Sequence, residues 1–371
     1  MKKMDWVSLG YIASYHFCLA IFLPLYFFYF SPSKTLIFSM IGLVFACGIG
    51  ITAGYHRCFS HPAYKAHPLV ESVLLFFGNL ATQGSALRWS YEHRLHHAHV
   101  DTDEDPYSVT KGFWHAHILW LFKARPPIDD RIVSDLKRNP LIRFQNDYYL
   151  PLLIAQHVLV ILFFGWVTND YFGSFVFCYL LRSFFSHHTT WFINSLAHTW
   201  GEKNFSKEHS AVDNFIISLL TYGEGYHNYH HTFSNDYRNG IKWYHYDPTK
   251  WLIFILSKLG LASNLRRMNF EKIQFQLILE HKKELVKKLT QSFLDSKEDL
   301  IERVHKQADA LTSALEDFIQ KGRRYREIGK DLKEIKNHLK LEIRAVKDQL
   351  KFEWRNWDNL SNYIHKLKKP A

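Results

Sequence analysis

Four apolar runs in this chain are long enough to cross a bilayer, and that limits what it can fold into. A segment in lipid must satisfy its backbone polar groups internally, so each run is expected to be a helix. The runs are about Leu9–Phe30, Leu36–Ala53, Leu150–Val167 and Tyr171–Ile193. The first is too long for the apolar part of a signal peptide and ends on Phe27-Phe28-Tyr29-Phe30, where a cleavage site needs small residues. Short links at Ser31–Lys34 and Thr168–Asp170 pair the runs as two hairpins. Both termini, residues 54–147 and everything after 194 then share one side. Lys and Arg fall almost wholly on that side, so it is expected to be cytosolic. A fifth run, Val70–Leu87, is interrupted by Glu71, Asn79, Gln83 and Gly84 and reads as an amphipathic or re-entrant segment.

The charge balance conceals this division. The 371 residues carry 46 Lys+Arg and 35 Asp+Glu, a formal +11, but 40 of those 81 charges lie in the last 101 positions. Two parts are expected: a membrane part with a cytosolic cap over residues 1–269, and a charged extension over 270–371. In the extension Leu285, Leu289, Leu300, Val304, Ala308, Leu311 and Leu315 recur at helical intervals, which predicts two or three amphipathic helices. The fold class expected is an all-α integral membrane protein, four transmembrane helices in two hairpins with that cap and extension. Cys18, Cys47, Cys58 and Cys178 are scattered and form no CxxC pair, which excludes a disulfide-stapled secreted domain.

Histidine supplies the chemistry. There are 23, and eight stand in three clusters: His56 and His61 as H-x4-H, then His93, His96, His97 and His227, His230, His231, each as H-x2-H-H. Positions i, i+3 and i+4 share one face of a helix, so each H-x2-H-H can aim three imidazoles at one point. His61 lies about 140° around from His56 on an ideal α-helix, so that pair is expected at a frayed helix end or on two different centres. Neutral imidazole is a common transition-metal ligand, and so many crowded rings could not all ionise. No Cys or carboxylate cluster accompanies them, which argues against zinc-finger and carboxylate-bridged sites and leaves Fe, Cu, Ni or Zn. The ligand count exceeds the needs of one ion, so two are implied.

These stretches resemble the membrane fatty acyl desaturases of the stearoyl-CoA (Δ9) type. The matching segments are Gly50 to His61, Trp89 to His97 with Asp103-Glu-Asp-Pro106, and Gly223 to His231 continuing through Asn235 to Gly240 and Trp243. The family also carries N-S-x-A-H, present here as Asn194 to His198. The resemblance implies that two Fe ions are held by His56, His61, His93, His96, His97, His198, His227, His230 and His231, with Asn194 contributing through a water. It further implies a bent acyl tunnel with Trp89 and Thr190 at the bend and Val44 and Gly48 at the far end, where a glycine leaves room for C16 to C18 chains. Lys111, Lys123 and Arg125 are candidate phosphate contacts for an acyl-CoA nucleotide. Glu92, Asp105, Asp213, Glu224 and Asp236 are candidate carboxylates behind the ligands.

The activity implied is O2-dependent desaturation of a saturated acyl-CoA to the cis-Δ9 product. A lipid-bound or carrier-protein-bound acyl chain, a hydroxylase on the same scaffold and a non-enzymatic membrane metal or haem binder are the alternatives. The chain has no H-P-G-G haem motif, so electrons are expected from a separate donor such as ferredoxin, rubredoxin or cytochrome b5. A lipid membrane is the expected environment, bacterial inner membrane or, in a eukaryote, endoplasmic reticulum, and no nucleic-acid partner is expected.

Overall fold

Asp5 opens the first long helix, Trp6–Tyr29, by accepting the Ser8 amide on its side chain. Ser31-Pro32-Ser33 separates it from the next helix, and Ser33 caps Lys34–Ile49 by accepting the Leu36 amide. This second helix continues without a break into a π-helix, Gly50–Ser60. The hairpin formed by residues 149–195 turns through Asn169, in the left-handed conformation at φ 52°, and Asp170, which caps the following turn through the Gly173 amide. Asp170 also accepts a 2.6 Å hydrogen bond from the buried Tyr26 hydroxyl, so the two hairpins are tied at their short links.

The structure is a computed structural model and describes residues 3–292, 296–328 and 332–367. These fall into two units, Met1–Lys203 with Glu208–Arg267, and Asn204–Lys207 with Met268–Ala371. In the first, Leu36, Leu43, Cys47, Ile51, Tyr55, Val176 and Phe177 belong to one buried apolar cluster shared by the helices. Its β-structure includes a two-residue antiparallel ribbon, Lys65–Ala66 with Ala262–Ser263. All four cysteines are free.

Three helices among the described residues, where four were expected, are both long and apolar enough to span a membrane: Trp6–Tyr29, Lys34–Ser60 and Tyr149–Thr168. A helix does occupy the fourth predicted run. It winds through Tyr171–Gly173, a π-helical Ser174–Leu181 and Arg182–Ser195. Arg182, Ser183, Ser186 and His187 lower its apolarity, and all four are buried. The Arg182 guanidinium donates to the Leu80 and Cys178 carbonyls and to His157 Nε2. The run Val70–Leu87 becomes a helix, Pro68–Leu80, a break at 81–85, and the start of a second helix, Ala86–His99. Its polar interruptions serve internal bonds: Asn79 donates to Gln156 and accepts from Gln145.

The described residues of the second unit form three helices, Phe270–Thr290, Lys297–Glu327 and Lys333–Lys366. The seven residues with helical spacing, Leu285 to Leu315, pack with Ile278, Trp357, Leu360 and Ile364 as its core.

Candidate metal centre

The π-helix decides how the first histidine pair is presented. The His61 amide donates to the His56 carbonyl, an i→i+5 bond, so residues five apart come round to nearly the same face. Their rings lie 4.9 Å apart. The helix end is therefore ordered and wider, where fraying or two separate centres had been expected, and both residues join one group.

Nine imidazoles form two groups, His56, His61, His93, His97 and His230 in one and His96, His198, His227 and His231 in the other, with one nitrogen from each residue within 4.8 Å of the others of its group. The expectation that each H-x2-H-H aims all three rings at one point is corrected here. On the Ala86–His99 helix, His93 and His97 are about 40° apart and enter the first group, while His96 lies about 100° from His97 and enters the second. On the short His227–Thr232 helix the pattern reverses: His227 and His231 go to the second group and His230 to the first. Each motif thus contributes to both groups and couples them.

Tautomers follow from the hydrogen bonds. His56 Nδ1 lies 2.9 Å from Glu224, His96 Nδ1 2.9 Å from Asp105, His93 Nδ1 3.2 Å from the Tyr107 hydroxyl, and His198 Nδ1 2.6 Å from the Ser210 hydroxyl. Each Nδ1–H has an oxygen acceptor, which leaves the Nε2 lone pair for the centre. Those nitrogens crowd together, with Nε2···Nε2 separations of 2.8 Å for His61 and His93 and 3.0 Å for His56 and His230. Burial, then the charge the neighbouring rings would carry, holds His61, His93, His97, His198, His227, His230 and His231 well below the ordinary imidazole pKa. The converging imidazoles turn ring nitrogens toward one another in two groups, and this donor set fits transition-metal ions.

Two of the five candidate carboxylates touch these histidines. Glu224 takes bonds from His56, from Arg57 at 2.8 Å and from Asn239 at 2.6 Å. Burial alone would raise its pKa, but Arg57 and His56 hold it at about 2. Arg57 is itself buried and reaches Asp247 at 3.0 Å. Asp105 accepts the Tyr107 and Asp101 amides as well as His96. The others serve elsewhere: Asp213 accepts the Tyr229 amide, Asp236 the Tyr229 hydroxyl and Arg238, and Glu92 sits 3.6 Å from Arg125.

A largely apolar cavity of about 300 Å³ adjoins the first group and is lined by His56, His93 and Asn194 among others. Trp89 stacks on His93 with ring centres 4.9 Å apart, and its indole N–H donates to Gln83 at 3.4 Å. Gln83 in turn donates to the Thr190 hydroxyl at 2.8 Å. Trp89, Gln83 and Thr190 therefore form one hydrogen-bonded bracket on the cavity wall. Sequence reasoning missed Gln83 as a site residue, although a lone amide inside an apolar run was the available signal.

The far-end residues differ from expectation. Val44 and Gly48 are not among the cavity-lining residues, because Tyr222 fills the space over Gly48, so closely that a Cβ there would collide with its ring, and donates to the Val44 carbonyl. Of the three basic candidates, Arg125 lines the cavity. Lys111 braces the 103–105 loop through the Asp103 and Asp105 carbonyls, and Lys123 lies 3.4 Å from His115. The adjacent His187 and His188 of the Arg182–Ser195 helix form separate contacts: His187 with the Tyr15 hydroxyl and Thr82 carbonyl, His188 with His16 and His117.

A sequence model of fatty acid desaturases matches residues 34–256. A protein named "Probable acyl-CoA desaturase" from Schizosaccharomyces pombe is 45% identical over 256 residues, 68% of this chain and 53% of that one. Acyl-CoA desaturase 1 of Saccharomyces cerevisiae is 41% identical over 65% of this chain and 48% of its own length, so the chain spans about half of these two relatives. An sn-2 palmitoyl-lipid 9-desaturase from Nostoc sp. (strain 36) is 38% identical over 71% of this chain and 90% of its own length. With the family match running from the second helix to beyond the last histidine cluster, the chain belongs to the fatty acid desaturase family.

Proposed function

We propose that the chain is an O2-dependent acyl-CoA Δ9 desaturase acting on C16 to C18 chains, with two iron ions on the nine histidines. The observation that carries this reading is the pentad and tetrad of converging imidazoles beside an apolar cavity. The overall reaction balances as saturated acyl-CoA, O2, two electrons and two protons giving the cis-monoene and two waters. Iron, when bound, supplies the reduction of O2 and the oxidising power to remove hydrogen from an unactivated methylene. The polypeptide supplies position. Glu224 and Asp105 fix the rings of His56 and His96, and the Trp89–Gln83–Thr190 bracket would hold the bend of the acyl chain against His93. Asn194 would reach the centre through a water.

The same reading has four spans, the Tyr171–Ser195 helix crossing with its polar side chains packed inward, and both termini cytosolic. It divides the chain at residues 269 and 270, and it takes electrons from a separate donor. Yeast relatives named for acyl-CoA and the Arg125 side chain on the cavity wall favour a CoA thioester as carrier.

The test is expression in a host that lacks Δ9 desaturase, with a compatible electron donor, followed by fatty-acid analysis. New cis-Δ9 monoenes are expected, first in the acyl-CoA pool. First appearance in phospholipid would replace the carrier, hydroxy acids would replace the reaction, and no product with a full metal complement would sink the reading.

A further inference from the structure

Tyr222 stands just before the third histidine cluster with its backbone under strain. Its φ is 57°, a conformation that a bulky side chain rarely adopts, and the Thr249 hydroxyl donates to its carbonyl at 3.0 Å and holds it there. That hydroxyl in turn meets the Thr52 hydroxyl at 2.7 Å, and Thr52 lines the cavity beside the histidines.

The Tyr222 ring is buried and bridges two helices that build the cavity wall. On the Lys34–Ser60 helix it covers Gly48 and donates to the Val44 carbonyl at 3.3 Å. On the Arg182–Ser195 helix its hydroxyl meets that of Thr189. Both contacts lie one turn further from the histidines than a cavity-lining residue of the same helix, Gly48 four residues before Thr52 and Thr189 four before Ile193. Gly48 supplies no side chain of its own, and the three atoms nearest to where its Cβ would stand all belong to the Tyr222 ring. The remaining neighbours are apolar: Ile49, Ala53 and Leu74, with the Phe45 ring centre at 5.7 Å. A ring that closes an apolar cavity between two helices limits what the cavity can hold.

We propose that Tyr222 is the floor of the cavity at this end and sets the longest chain that it accepts. The ring stops the methyl end of the substrate about one turn beyond Thr52, where Gly48 by itself would let it pass. The proposal rests on the reading that this cavity holds the acyl chain. The Trp89–Gln83–Thr190 bracket is untouched by Tyr222, so the ring limits length without moving the double bond.

The full chain is expressed in a host that lacks Δ9 desaturase, fed equal amounts of saturated C14, C16, C18 and C20 acids, and its monoenes are measured by length and double-bond position. Tyr222→Gly removes the ring and suits the left-handed backbone; its C20-to-C16 monoene ratio should rise roughly tenfold or more over wild type. Tyr222→Phe keeps the ring and loses only the hydroxyl, and should give the wild-type ratio. Adding Gly48→Leu to Tyr222→Gly refills the space and should return the ratio, while the double bond stays at one position from the carboxyl carbon throughout. A purely structural role would alter total product and leave the ratio alone. The wild-type ratio in an active Tyr222→Gly, an equal shift in Tyr222→Phe, or a shift that Gly48→Leu does not reverse would overturn the proposal. Should Tyr222→Gly make no product, Tyr222→Leu decides the question: a smaller rise supports the floor, and an unchanged ratio overturns it. No monoene of any length from wild type would instead remove the desaturase reading, and this inference with it.

Discussion

At the scale of single residues, the centre depends on charges that never meet water. Arg57 stands between Glu224 and Asp247, and both carboxylates are buried. Replacing it by Met leaves two buried carboxylates without the guanidinium between them, a loss on the order of 3–5 kcal/mol, and the detergent-solubilised variant should unfold at markedly lower temperature. Glu224→Gln keeps the shape and an acceptor but removes the charge behind His56; metal affinity should fall about 10–100-fold, read by chelator competition. An unchanged affinity would show that Glu224 does not orient the ring. Asp213 behaves oppositely. Burial pushes its pKa to about 7 against the amide bonds that lower it, well above an unfolded aspartate near 3.9. The folded state therefore binds this proton more tightly, and stability is lost as pH rises from about 4 to about 7. Asp213→Asn should be more stable than wild type at pH 8 by thermal unfolding, with the advantage reduced to about a third near pH 5 and gone below about pH 4; a constant offset would refute the titration. The histidine convergence was legible because spacing repeats, whereas Gln83 stood out only as a polar break in an apolar run, its partner Thr190 being distant in the chain.

At the scale of elements, the π-helix is the part the sequence did not disclose. An α-helix and a π-helix share the same apolar pattern over a few turns and differ only in which carbonyl each amide reaches, so periodicity predicted α and put His56 and His61 on different faces. Close packing holds the wider winding. A Cβ on Gly50 would sit 2.5 Å from the Gly78 amide nitrogen and 2.8 Å from the Phe77 carbonyl carbon, backbone atoms that cannot swing away. Gly50→Ala should therefore disturb both histidines and lower metal content, while Gly10→Ala, with nothing within 4 Å of the added carbon, should leave it unchanged. Equal metal content in the two variants would detach the Gly50 contact from the centre. The division of each H-x2-H-H between groups was likewise unreadable from one motif. It follows from the 100° step between adjacent helical residues once the imidazoles gather in two groups.

At the scale of the whole molecule, the charged extension was legible as helical because its apolar period runs for many turns, and those residues are the core of the second unit. The space expected beside Gly48 is taken by Tyr222, which is distant in sequence and which only the fold brings there. A chain ended after Arg267 keeps all nine histidines, the cavity and the Arg57 pairs. It should retain its metal by mass spectrometry, whereas Asn204–Lys207, which belongs to the second unit, should become a protease site. Loss of metal on truncation would make the extension part of the centre. The buried arginine of the Tyr171–Ser195 helix bears on how such a chain is made. Offered to lipid alone, an arginine near mid-helix adds about 2.5–3.5 kcal/mol to the work of insertion. Its acceptors, His157 on the preceding helix and the Leu80 carbonyl, have both been synthesised before Arg182 leaves the ribosome. Under the proposed four-span topology insertion is thereby given an order: the Tyr149–Thr168 and Tyr171–Ser195 helices would enter the bilayer as a pair, onto a segment already in place, and biogenesis would proceed in the direction of translation.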